Sequence, residues 1–265
     1  SSSLFSKGRI DQGLEHLGKS LGITSTASTD HMHSQILQWQ AFGNALAGQF
    51  KRARKRLNES TELRNNAGGP FYTAFHNIIA GAIYTRLKRF DKAQSNLEKG
   101  LALARSIPST FLTLCALINT SYLKYESEGP DAALEDLETG LSLMKSSGYD
   151  HFWSWEPVMV TKLLALAVKR NKEKSFARSL AQQRLSINFS DEGGSIPVLR
   201  FTLLDSFELS VGGKTFLQGK DLTPAQRELL GLLLTAKGQR ISQDRIQLEL
   251  WPDNSPDNAR KSFDT

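Results

Sequence analysis

Leucines recur at a fixed interval through most of the chain. Leu17, Leu57, Leu97 and Leu137 stand 40 residues apart, and Leu180 follows 43 later. Four residues before each of the first four stands a small residue: Gly13, Ala53, Ala93 and Ala133. Phe176 breaks that column in the fifth. Seven before stand Ile10, Phe50, Phe90 and then Pro130. Leu21, Leu101 and Leu141 lie four after. Offsets of −7, −4, 0 and +4 mark one face of a helix. The small residue lets a neighbouring helix approach closely.

Between these helices lie apolar stretches of helix length at 34–47, 72–87, 110–125 and 157–169. Breakers separate the units: Gly68-Gly69-Pro70, Pro108, Gly129-Pro130 and Gly148. Each unit therefore reads as helix–turn–helix. One pair cannot bury its own apolar face, so the pairs must stack into a superhelix. The small-residue column with an aromatic at its head resembles the tetratricopeptide repeat in a lengthened form, the usual unit being roughly 34 residues. The resemblance covers residues 1–187 and is carried by the second helix of each pair. The first unit is half a pair, which predicts an internal fragment of a longer protein. So does a start at Ser1-Ser2-Ser3 without a leader pattern.

Trp39, Phe42, Phe75, Tyr84, Tyr122 and Tyr125 lie on helical stripes and read as packing between repeats. Trp153 and Trp155 fall at a turn and helix start. They fit a lined inner pocket or, preferably, a hydrophobic cluster capping the helix. Solvent-facing positions on the first helices, namely Gln38, Asn77, Arg86 and Lys124, are the candidate lining of a groove for a protein partner or effector. His31 and His33 are spaced i, i+2 and do not share a helix face. His16, His76 and His151 stand alone. No metal site and no cofactor are expected. Cys115 sits in an apolar helix and reads as an inert core residue.

The pattern changes after Ser186. Residues 188–197 are polar and rich in Gly and Ser, which predicts a linker. Residues 198–204 read as a strand. Residues 206–211 alternate with period two, and Gly212-Gly213 is a hairpin turn before Lys214-Thr215-Phe216. Thr223 is an N-cap, Pro224 the first helical residue and Gln226 the far end of a capping box. The leucine-rich helix that follows should supply a core for Phe263. Ser242 caps a second helix ending near Trp251-Pro252, and Ser255-Pro256 opens a third. Val211-Gly212-Gly213-Lys214-Thr215 imitates the end of a phosphate-binding loop. It lacks the earlier glycine and continues as a strand rather than a helix.

Strands, then Leu222-Thr223-Pro224-Ala225-Gln226-Arg227-Glu228, then Gln239-Arg240-Ile241-Ser242-Gln243-Asp244-Arg245-Ile246, then Leu250-Trp251-Pro252-Asp253 and Asn258-Ala259-Arg260-Lys261-Ser262 resemble the winged-helix effector domain of OmpR/PhoB-type regulators. The bacterial transcriptional activator branch is the nearest. Repeats followed by this domain resemble the C-terminal half of large signal-transduction ATPase regulators. The resemblance implies a cytoplasmic bacterial transcription regulator, not itself an enzyme. Its third helix, from Pro256, would enter the DNA major groove. On this sequence Arg260, Lys261, Ser262 and Thr265 would face DNA. The family pattern continues past Thr265 with a basic stretch and a wing. The expected fold is thus mostly α: an α-α superhelix of tetratricopeptide-like helix pairs over 1–187, a linker over 188–197, and a small, partial α+β winged-helix domain over 198–265. The other function class is a protein-interaction scaffold whose winged helix does not bind DNA.

Composition narrows this further. With 265 residues, 39% apolar and 23% charged, the chain has the makeup of a folded protein. A single cysteine excludes an internal disulfide. The formal charge is +6. Residues 196–265 are neutral, so the whole excess lies in residues 1–195.

Overall fold

The computed structural model describes residues 2–24, 30–203, 206–236 and 240–264. By contact it divides into two units, Ser1–Ile196 and Pro197–Thr265.

The first unit contains α1 (Ser2–Phe5), α2 (Ile10–Thr24), α3 (Asp30–Leu46), α4 (Phe50–Asn66), α5 (Pro70–Arg86), α6 (Phe90–Ser106), α7 (Thr110–Ser127), α8 (Leu134–Ser146, after a 3-10 turn at Asp131–Ala133), α9 (Pro157–Lys169) and α10 (Lys174–Leu185). They form tetratricopeptide-like helix pairs: α3 with α4, α5 with α6, α7 with α8, α9 with α10. The leucine column falls on the second helices. Leu17, Leu57, Leu97, Leu137 and Leu180 are all buried. Each such side chain contributes about 1.5–3 kcal/mol by leaving water. Ala53, Ala93 and Ala133 have no exposed surface. In α10 the small position is taken by Ala177, also fully buried, while Phe176 is only half-buried. A one-residue slip thus restores the column that Phe176 interrupts.

Close helix approach also depends on two glycines. A Cβ on Gly81 would lie 2.5 Å from Leu97 Cγ, and one on Gly100 would lie 2.8 Å from Ile78 Cγ1. These contacts draw α5 and α6 together from both sides. Local chemistry sets the helix starts. Ser109 accepts the Leu112 N–H at α7, and Pro70 and Pro157 take first-turn positions where no N–H is needed. Between α3 and α4 the chain turns at Gly48, with φ of 71°. The equivalent turn of the next pair uses Lys88, with φ of 54°.

The first unit ends in a two-stranded hairpin, β1 (Ile187–Phe189) with β2 (Ser195–Pro197). This corrects the expected linker over 188–197. Phe189 is buried, and β1 packs on α10. Gly193, with φ of 82°, brings the turn so close to α9 that a Cβ there would lie 3.0 Å from the Ala165 carbonyl oxygen.

The second unit opens with a three-stranded antiparallel sheet in the order β3 (Leu199–Thr202), β4 (Glu208–Val211), β5 (Lys214–Gln218). Gly212 and Gly213 both have positive φ, 57° and 80°, as the tight hairpin turn requires. Thr215 lies in β5, so the phosphate-loop lookalike is a β-hairpin. Then come α11 (Pro224–Thr235), α12 (Gln243–Leu250) and α13 (Pro256–Asp264). Both halves of the Thr223/Gln226 capping box form. Ser242 accepts the Arg245 N–H at the start of α12. Among the described residues the leucines of α11 are at most half-buried and do not form the expected buried core. No described residue of α11 is buried, α13 packs on α12, and the buried apolar residues described in this unit are Ile246 and Ala259.

Candidate functional site

Along the first unit α3 packs on α5, and α5 on α7. These first helices therefore approach each other closely, which turns their shared face inward. A row of aromatic rings crosses that face. Trp39 of α3 lies 5.8 Å from Phe75 of α5, and Phe75 lies 4.4 Å from Trp153. Trp153 lies 5.0 Å from Phe111 of α7, and Phe111 lies 5.3 Å from Tyr149. Phe71 extends the row on α5, 6.1 Å from Trp153, and carries Tyr72 beside it. Trp39, Phe71, Phe111, Tyr149 and Trp153 are half-buried, and Tyr72 is exposed.

Trp153 belongs to no helix. It comes from residues 147–156, between α8 and α9, which fold back across α5 and α7. Three polar contacts fix this segment. Asn119 of α7 donates to Ser154 Oγ at 2.6 Å. Glu156 caps α9, accepting the Val158 and Met159 N–H groups at 3.0 and 2.7 Å. Arg86, at the far end of α5, donates to the same carboxylate at 2.5 Å. The pair is largely screened from water, Arg86 being 18% and Glu156 10% exposed. Trp155 turns the other way, into the core against Phe152. Both sequence readings of the two tryptophans thus hold in part: Trp155 caps the core, and Trp153 lines the inner face.

Around the pair, the Arg86 guanidinium lies 5.9 Å from the Tyr122 ring centre, and Lys162 lies 5.8 Å from the same ring. Lys162 is held by Glu126 at 2.7 Å, which pushes its ammonium pKa up. Burial pushes the Tyr122 phenol up, so it stays protonated. Cys115 is buried below Trp153, and burial raises its thiol to about 12. It is no nucleophile at neutral pH.

His76 of α5 does not stand alone. Its Nδ1 meets Gln38 Oε1 at 2.9 Å and its Nε2 meets Thr61 Oγ1 at 3.0 Å. Burial, and then the charge of Arg64, lower its pKa to about 4. The ring is neutral at pH 7 and acts as a polar strut between α3, α5 and α4. His31 instead meets Arg64 at 2.9 Å and stacks edge-on with Tyr72. Among the described residues no three His, Cys, Asp or Glu side chains gather as a metal would require. No described helix is long and apolar enough to cross a membrane.

Of the four residues expected to line one groove, Arg86 reaches the segment that carries Trp153, through Glu156, from the end of α5 opposite Phe71 and Phe75. Gln38 is fully buried in the seam between α3 and α5. Asn77 lies nine residues before Arg86, about two and a half turns, which sets the two on opposite sides of α5. It lines a polar cleft of about 280 Å³ with Thr61, His76 and Tyr84. Lys124 faces its own second helix and pairs with Asp136 at 2.7 Å. Sequence reasoning missed Asn119, Ser154 and Glu156. Only the last left a local signal, a capping side chain directly before a proline. Of the residues expected to meet DNA, Arg260, Lys261 and Ser262 are exposed on α13, with Ala259 buried and Phe263 half-buried. Thr265 lies outside the described residues.

No protein-family model matches the chain, and no curated protein matches it. Among solved structures, two similar chains hold the nearly identical TPR-like repeats of a Podosopora anserina protein described as a kinesin light chain, one of them a Gln-to-Met variant. Each aligns at 14% identity and a TM-score of 0.44, covering 68% of this chain and 87% or 88% of theirs.

Proposed function

We propose that the helical unit is a protein-interaction scaffold whose partner lies against the inner aromatic row. One observation carries this reading: five half-buried rings and the exposed Tyr72, joined through the buried Phe75, run continuously across three first helices and the 147–156 segment. Aromatic side chains supply large, rigid contact area and dominate protein interfaces. The Arg86–Glu156 pair anchors the segment that presents Trp153. The test is site-specific photocrosslinking in cells. A photoreactive phenylalanine at Tyr72 should trap a discrete partner, and the same probe at Lys99, exposed on α6, should not. Trapping at Lys99 alone would overturn the assignment.

A second reading is favoured by α13, where Arg260, Lys261 and Ser262 follow one another, all exposed, on a helix seated through Ala259. Together with the sequence resemblance this supports a DNA-reading helix and a role in transcription regulation. Lys261→Ala should reduce the salt slope of duplex DNA binding by about one, as loss of a phosphate contact does. Arg260→Ala should weaken binding by about 1–3 kcal/mol and relax specificity. Equal affinity and slope for wild type and both variants would remove these residues from any DNA site.

A further inference from the structure

The positive charge of the chain is concentrated on one second helix. α4 holds Lys51, Arg52, Arg54, Lys55, Arg56 and Arg64 against Glu59 and Glu62, four of the six excess charges. Five of these cations lie in the first two turns, where the helix dipole disfavours them. The same end has no acidic residue in its first turn, and Gln49 at the N-cap makes no capping bond. Instead Gln49 Oε1 accepts from Arg52 at 3.1 Å. Among the described residues Glu59 is the only carboxylate that pairs with these cations, at 2.8 Å from Arg56 and 3.9 Å from Lys55. Such a violation of local helix rules, five cations in two turns answered by one carboxylate and one amide, marks a functional surface.

Three of these cations border a cleft of about 510 Å³ between α2, α3 and α4, whose walls include Arg52, Lys55, Arg56, Asn44 and Gln49. Gln40 of α3 also lines it. Gln40 is 7% exposed, and its Oε1 has no hydrogen-bond donor. A buried acceptor without a partner costs about 1–3 kcal/mol, so the cleft asks for a donor as well as an anion.

We infer that this cleft binds a phosphorylated side chain of a partner polypeptide. Three converging cations suit a phosphoryl group, which carries about −1.5 to −2 at pH 7, better than a carboxylate. The arginine forks match its oxygens. Gln40 takes the backbone N–H that a peptide brings with it. A DNA backbone offers acceptors only and leaves Gln40 unanswered. The cationic stretch is also short, about 9 Å of helix, and Glu59 and Glu62 close it to a long polyanion.

The experiment is an NMR titration of the whole chain, following the side-chain amides of Gln40, Asn44 and Gln49. The probes are N-acetyl-phosphoserine N-methylamide, its unphosphorylated and glutamate counterparts, inorganic phosphate and a short DNA duplex. The phosphoserine amide should give saturable shifts, with an affinity about tenfold above that of inorganic phosphate. Replacing Arg52→Gln and Arg56→Gln together should abolish them. Gln40→Leu should leave phosphate binding unchanged and erase the preference for the phosphoserine amide. Absence of saturable shifts, equal affinity for inorganic phosphate or the glutamate amide, or tighter binding of the duplex would each overturn the proposal.

Discussion

Arg86 and Glu156 form an ion pair of 2.5 Å across 70 residues of chain. Glu156 serves two structures at once, since the same carboxylate caps α9. The pair ties the end of α5 to the start of α9, past the intervening α7. It thereby holds the 147–156 segment, and with it Trp153, against the inner face.

Removing either partner should therefore cost more than a surface pair would. Arg86→Ala leaves a screened carboxylate and should destabilise by about 3 kcal/mol. Glu156→Ala also loses the cap, which contributes about 1 kcal/mol more. The double variant should lose less than the sum, because each single change already breaks the same contact. Urea unfolding of the four proteins measures this. Strict additivity would show that the two residues act independently.

Gly81 and Leu97 form the tightest seam between α5 and α6. Gly81→Ala should destabilise by about 1–3 kcal/mol through overpacking against Leu97. Leu97→Ala alone should cost about 2–5 kcal/mol. In the double variant the new methyl occupies space the leucine vacated, so the combined loss should fall below the sum. Thermal melts of all three decide it. A Gly81→Ala protein as stable as wild type would contradict the packing described.

Lys88 sits at a left-handed backbone position where the preceding pair has Gly48. A non-glycine residue there costs roughly 1 kcal/mol. Lys88→Gly should raise stability or leave it unchanged, glycine's extra unfolded-chain entropy opposing the gain. Gly48→Ala should lower it by about 1 kcal/mol. Denaturant midpoints of both variants test the sign. A more stable Gly48→Ala would be incompatible with its φ.

His76 makes stability depend on pH. Folded, its pKa is about 4, against about 6.5 unfolded. As pH falls through that window the unfolded chain takes up a proton that the folded one refuses. The stability is present above about pH 6.5, declines toward pH 4, and changes no further below that on account of this group. The full loss is about 3 kcal/mol. His76→Gln should flatten this part of the profile. An unchanged slope between pH 6.5 and 4 would contradict the buried, neutral assignment.

What the sequence disclosed follows from how local each signal is. The leucine column, the Thr223/Gln226 capping box and the Gly212-Gly213 turn are decided within a few residues, and all appear as expected. Gln38 and Lys124 look alike to sequence reasoning, because a helix with several polar positions does not say which side its neighbours cover. The Arg86–Glu156 and Asn119–Ser154 contacts join residues 70 and 35 apart, and no local pattern announces them. The hairpin of β1 and β2 has no local signal for the same reason: its polar, glycine-rich composition reads as linker until α10 is there to bury Phe189. On α11 the leucine count promised a core, but burial depends on what the neighbouring elements cover.

Hydrogen exchange tests the central claim, that the inner aromatic row is the partner face. The partner trapped through Tyr72 would be added to the intact chain and amide exchange compared with that of the free protein. Protection should appear in the first turns of α5 and α7 and in residues 149–156, and exchange in α6 should stay unchanged. Protection confined to the second helices, with 149–156 unaffected, would contradict the account.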